Sequence, residues 1–155
     1  MSWRALAALG CTLLCAALAC ASAPSPQIEL PALSPNQTRI ILYMAVATEL
    51  PSYCPKLTVD GIDVGKLCVG HFFAVDQSPG LHQVGVGLDK NLSAFGEQGV
   101  TEPVSLTLGP GETAYVQVYA LAMSQQVKVM LTTEPAANGS RDVSSLRLTN
   151  YEKVP

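Results

Sequence analysis

The chain has little charge, few aromatic rings and almost no histidine. Of its 155 residues, 14% are charged, 6% are aromatic and only two are histidines. It has no Lys/Arg run or stripe that could follow a phosphate backbone, which argues against a nucleic-acid partner. No uncharged apolar stretch is long enough to cross a bilayer comfortably. There is no G-x-S-x-G elbow, no P-loop, no G-x-G-x-x-G ahead of a helix and no H-E-x-x-H, so the familiar hydrolase, nucleotide, dinucleotide and zinc-protease frameworks are missing. No cofactor or metal motif stands in their place. Beyond the N-terminus no segment has the periodicity of an amphipathic helix.

What is present begins with an address. Residues 1–19 carry one cation, Arg4, and then an uncharged, mostly apolar run from Ala5 to Ala19. That is the size of a signal-peptide core. Ala17-Leu18-Ala19-Cys20 resembles a bacterial lipobox, whose cysteine is diacylated and becomes the new N-terminus. Cys11 follows a comparable box but leaves too short an apolar core before it, and Cys15 fits worst. Cleavage after Ala21 or Ala23 with simple secretion is the alternative. Ala21 after Cys20 differs from the aspartate that holds such lipoproteins at the inner membrane. The expectation is therefore an outer-membrane lipoprotein facing the periplasm, tied to the membrane by its lipid. Loss of Arg4 lowers Lys plus Arg from 9 to 8 against 12 acids, so the net charge moves from -3 to -4. Three N-x-S/T triplets (Asn36, Asn91, Asn138) read as coincidence here, and as glycosylation acceptors if the chain is a eukaryotic secreted one.

Residues 20–37 hold four prolines and three serines and read as a tether between lipid and domain. From residue 38 the grammar is short strand, turn, short strand. Strands are expected at 39–44, 56–60, 62–67, 71–75, 81–88, 103–108, 114–121, 126–132 and 145–148. The first is apolar on almost both faces, as a central strand is. Inward positions are Leu57 and Val59, Ile62 and Val64, then Val104, Leu106 and Leu108, and finally Val127, Val129 and Leu131. Asp60-Gly61, Ser78-Pro79-Gly80 and Gly109-Pro110-Gly111 supply turns, the first two as hairpins, because Gly takes φ > 0 freely and Pro pre-sets a turn torsion. Residues 134–142 read as a loop and 151–155 as an unstructured tail. Short strands at this spacing predict an all-β fold, an antiparallel β-sandwich over 38–150.

Four pieces in order carry a resemblance. Leu57-Thr58-Val59-Asp60-Gly61-Ile62-Asp63-Val64-Gly65-Lys66-Leu67, Gly70-His71-Phe72-Phe73, Pro79-Gly80-Leu81-His82-Gln83-Val84 and Leu108-Gly109-Pro110-Gly111-Glu112-Thr113-Ala114-Tyr115-Val116-Gln117-Val118 look like the DUF2846 family of small bacterial envelope lipoproteins. PEGA-type surface modules share the first half. The resemblance spans about residues 38–150 and implies a prealbumin-like sandwich in the envelope, with no biochemical activity to carry over. The chain departs from the pattern at His71-Phe72-Phe73, where tyrosine is more usual, and in having Cys54 and Cys68.

Those two cysteines sit symmetrically about the Asp60-Gly61 turn. In a hairpin centred there they face each other near the ~5.5 Å Cα separation a disulfide needs. In an oxidising compartment a bridge is the expected outcome. A metal site using Cys54, Cys68 and His71 is the rival reading, without a recognised zinc spacing.

His71 and His82 are the only candidate neutral-pH bases, and each also fits a purely structural place, His71 at an edge and His82 supporting a hairpin. Asp60, Asp63 and Asp76 are expected at turns, capping backbone amides. Tyr115, Gln117 and Tyr119 share one face of a strand, an amphipathic stripe that is either core or sheet surface, or else a sugar or peptide platform. Loop 89–102, with Leu92, Phe95 and Val100, is either a partner-contact surface anchored by Phe95 or a cap over one end of the sandwich. The function expected is a non-enzymatic, lipid-anchored envelope module with a protein-interaction or structural role. A small-molecule or glycan binder is the alternative, and an uncharacterised hydrolase around His71, His82 and the aspartate turns comes after it.

Overall fold

A computed structural model describes residues 29–45, 50, 52–87, 97–98, 101–124 and 126–153. The signal peptide with Cys20 and Cys11, and the partner-loop residues Leu92, Phe95 and Val100, lie outside the described residues.

The elements run β1 (Thr38–Met44), β2 (Lys56–Val59), β3 (Ile62–Lys66), β4 (His71–Gln77), β5 (Gly80–Val86), β6 (Glu97–Gln98), β7 (Val104–Leu108), β8 (Thr113–Ala122), β9 (Gln126–Glu134), α1 (Ala136–Val143) and β10 (Arg147–Lys153). They form two sheets, one ordered β10-β4-β1-β8-β9-β6 and the other β3-β2-β5-β7. The fold is an all-β sandwich. The smaller sheet is antiparallel throughout, and the larger one mixes antiparallel β1–β4 and β8–β9 ladders with parallel β1–β8, β4–β10 and β6–β9 pairs.

Strand β1 takes the central place its two apolar faces call for, and all seven of its residues are buried. Ile40, Leu42 and Met44 face the second sheet, meeting Leu57, Val59, Phe73, Val84, Leu106, Val118 and Val129 in the main core. Each fully buried side chain of this size contributes roughly 1.5–3 kcal/mol over leaving it in water. Ile41 and Tyr43 point the other way, into a second cluster with Phe72 and Ala74 that Leu30, Tyr115, Val143, Leu146, Leu148 and Tyr151 cover. The larger sheet is therefore packed on both faces over part of its width, with contacts reaching back to Leu30.

Four expectations are corrected. Ser78-Pro79-Gly80 does not close a hairpin: β4 and β5 belong to different sheets, and the chain turns a corner between them. Strand β4, buried from Phe72 to Gln77, needs neighbours on both edges and takes β1 and β10. Gly80, at φ +154°, takes a backbone shape that a side chain would strain.

Residues 134–142 are not a loop, since most of them form α1. Asn, Gly, Ser and Asp are weak helix formers, so propensity gives no warning of it. Packing supplies the helix: Gly139 is buried against Tyr115, where any Cβ would overlap the ring. The final strand, expected at 145–148, starts at Arg147 and continues to Lys153 because β4 offers it a parallel edge. Ile62 does not face inward and is 49% exposed. It sits at the turn end of an edge strand, and a register shift between Leu57 and Thr58 leaves Val64 as the buried position of β3.

Candidate functional site

Cys54 and Cys68 form a disulfide, Cα to Cα 4.3 Å, across the open end of the β2–β3 hairpin. Both sulfurs are thereby used, which removes the three-ligand metal reading. His71 Nδ1 instead lies 3.0 Å from the Val69 carbonyl. Among the described residues no three His, Cys, Asp or Glu side chains converge as metal ligands.

The turn at Asp60-Gly61 has φ +52° and +78°, the double left-handed geometry of a tight hairpin. Asp60 does more than turn the chain. Its Oδ1 accepts from the Gln83 amide at 2.7 Å, and its Oδ2 lies 2.8 Å from His82 Nδ1. The other ring nitrogen of His82 is 2.8 Å from the Ser78 carbonyl oxygen. His82 thus ties the β2–β3 turn to the β4–β5 corner with both nitrogens, and neither is left for a substrate. The two histidines lie in different sheets and share no carboxylate.

Asp63 does cap a turn, accepting from the Gly65 amide at 2.9 Å, and it pairs with Lys56 at 2.6 Å. The hydrogen bond from Lys56, then that from Gly65, holds its carboxyl below the ordinary range.

Asp76 is a correction. It lies inside β4, not at a turn, because the strand runs two residues further than expected. There it is buried opposite Arg39, whose Nε and Nη2 donate to its two oxygens at 2.6 and 2.8 Å. Tyr151 adds a third bond at 2.8 Å, while Arg39 Nη2 also donates to the Pro31 carbonyl at 2.9 Å. The guanidinium sits 5.7 Å from the Tyr151 ring centre. The bond to Asp76 pushes the Arg39 pKa up, and the same carboxylate raises that of Tyr151. A lone arginine in an apolar strand was the only signal of this network, and nothing in the chain order named its partner.

The Tyr115–Gln117–Tyr119 face divides in two. Tyr115 is covered by α1. Gln117 is buried, with its Oε1 3.3 Å from the Tyr43 hydroxyl, which is also 3.5 Å from Asp142 Oδ2. Tyr119 stays partly open, opposite exposed Met130 across the β8–β9 ladder. Burial foremost, then the charges of Asp142 and Glu134, pushes the Tyr43 phenol well above its usual value. Burial and the same two carboxylates, Glu134 first, raise Tyr119. Two phenols, two acids and an amide therefore gather between α1 and the β8–β9 hairpin. The stripe is legible in the sequence but the acids are not, because the weak helix formers of 134–142 give no sign of α1, which carries Asp142 to this face.

No family model matches the chain, and neither does any curated protein or solved structure.

Proposed function

We propose that this chain is a non-enzymatic module of the bacterial cell envelope, anchored by lipid at Cys20 to the outer membrane and facing the periplasm, with a protein-interaction or structural role. The DUF2846-like order of its motifs, with a prealbumin-like sandwich, belongs to the same reading. The observation that carries it is the Cys54–Cys68 bridge, since structural disulfides persist in exported proteins and are rare in the cytosol. The engagement of both His82 nitrogens supports the non-enzymatic part, because a general base needs a free one.

Replacing the lipidated cysteine tests the anchor. Cys20→Ala should abolish palmitate labelling and move the protein from the membrane to the soluble fraction; labelling that persists in this variant overturns the assignment. The partner contact is placed on loop 89–102. Phe95→Ala should leave the melting temperature unchanged and lose co-purifying envelope proteins, whereas lost stability with unchanged partners makes Phe95 a cap.

A further inference from the structure

The buried ring of His82 lies between two groups that can only accept. Its Nδ1 is 2.8 Å from Asp60 Oδ2, and its Nε2 is 2.8 Å from the Ser78 carbonyl oxygen. An ionised carboxylate and a carbonyl offer lone pairs and no proton. A neutral imidazole has one N–H, so in either tautomer its bare nitrogen faces an acceptor lone pair at hydrogen-bond distance. Only the imidazolium, with an N–H on each nitrogen, serves both. Asp60 Oδ1 is already engaged by the Gln83 amide. Strand β7 sets the buried, apolar Leu106 opposite His82 in the β5–β7 ladder, and the corner presents a backbone carbonyl. The aspartates next along the chain are turned elsewhere, Asp63 to Lys56 and the Gly65 amide, Asp76 to Arg39 and Tyr151. Asp60 is thus the charge that faces the ring.

We infer that His82 is a proton-operated latch between the β2–β3 turn and the corner that carries the chain from one sheet to the other. Histidine is the side chain whose charge changes between about pH 5 and 8. With a proton on each nitrogen, the ring holds turn and corner together, and its bond to Asp60 is charge-assisted. When one proton leaves, a single N–H remains for two acceptors. It stays with the carboxylate, the stronger acceptor, and the Ser78 carbonyl is released. Ser78 and Pro79 are exposed, so water can take the place of the ring there. The latched state is the one that binds the proton, which fixes the sign. The stability it contributes is present at low pH and is lost as pH rises through that window. Paired carboxylates give the opposite dependence, losing stability in acid. The latch does not depend on where the protein is anchored, so it can fail while the envelope reading holds, and the reverse.

One substitution separates a latch from a merely structural histidine. Asp60→Asn keeps an oxygen for the Gln83 amide and turns an amide N–H toward Nδ1, so a neutral ring can accept there and donate from Nε2 to Ser78. Asparagine also tolerates the left-handed backbone of this turn, where φ is +52°. Untagged parent and variant are compared in a His71→Gln background, which leaves His82 as the one histidine of the chain. By nitrogen-15 NMR, the folded parent should keep a proton on both ring nitrogens to higher pH than Asp60→Asn does. Its denaturant midpoint should fall between pH 5 and 8, while that of Asp60→Asn stays level. The proposal is overturned if both proteins lose the ring proton at the same pH, or if their midpoints run parallel. Should Asp60→Asn not fold, the ring of the parent is followed in the folded and the denaturant-unfolded chain, and loss of the proton at the same pH in both states overturns the latch.

Discussion

Arg39 and Asp76 are direct partners in the β1–β4 ladder, and they meet as a two-pronged ion pair at 2.6 and 2.8 Å with their side chains almost wholly withdrawn from water. The pair joins β1 to β4, and through Tyr151 and the Pro31 carbonyl it also holds β10 and the segment leading into β1. Removing one partner leaves the other buried and uncompensated.

Asp76→Ala should therefore destabilise the protein by about 3–5 kcal/mol. The double variant Arg39→Met with Asp76→Leu should recover most of that loss, since well-packed apolar residues often replace a buried pair at little cost. Chemical denaturation of the three proteins checks this. A single variant within about 1 kcal/mol of the parent would show that the pair is not desolvated.

The disulfide closes a loop with its ends 14 residues apart. In the chain-entropy treatment that is worth about 3 kcal/mol. Mass spectrometry of unreduced protein should recover Cys54 and Cys68 in one linked peptide pair, and Cys54→Ser with Cys68→Ser should lower the melting temperature. Free thiols at both positions in freshly extracted protein would refute the bridge.

Gly139 offers a test of sign. Gly→Ala within an ordinary exposed helix gains up to about 1 kcal/mol. Here a Cβ would overlap the Tyr115 ring, so Gly139→Ala should destabilise instead. The near-ultraviolet circular dichroism of the tyrosines should change with it. A stabilised Gly139→Ala protein would show that α1 does not press on Tyr115.

Alkaline unfolding should depend on Tyr43. Its folded pKa is raised, so the folded state keeps a proton that the unfolded state releases from about pH 10 upward. The stability linked to this phenol is fully present below that value and is lost as pH rises toward the folded pKa. Tyr43→Phe should give a flatter decline of unfolding free energy above pH ~10 than the parent. Parallel declines would assign the alkaline slope to other groups.

Strand positions and the inward set were legible where one rule acted alone. The alternation of Val127, Val129 and Leu131, the two-faced apolarity of β1 and the symmetric cysteines all follow from the side-chain period of two, and the structure keeps each. The aspartates were only partly readable. Asp60 and Asp63 sit at turns as local chemistry dictates, while the role of Asp76 depends on Arg39, 37 residues away in the chain.

By itself, the sequence determined most of the strand grammar, the inward faces other than that of Ile62, and the bridge across the first hairpin, because these depend on neighbours a few residues apart. Only the tertiary structure decided which sheet each strand joins, that α1 forms from weak helix formers, and that β10 runs on through Lys153. It alone brought Tyr43, Gln117, Glu134 and Asp142 to one place. The physical reason is the same throughout: a turn or an alternation is a local preference of backbone and side chain, whereas a strand edge, a close Gly139–Tyr115 contact or a cluster of acids exists only once distant segments have packed.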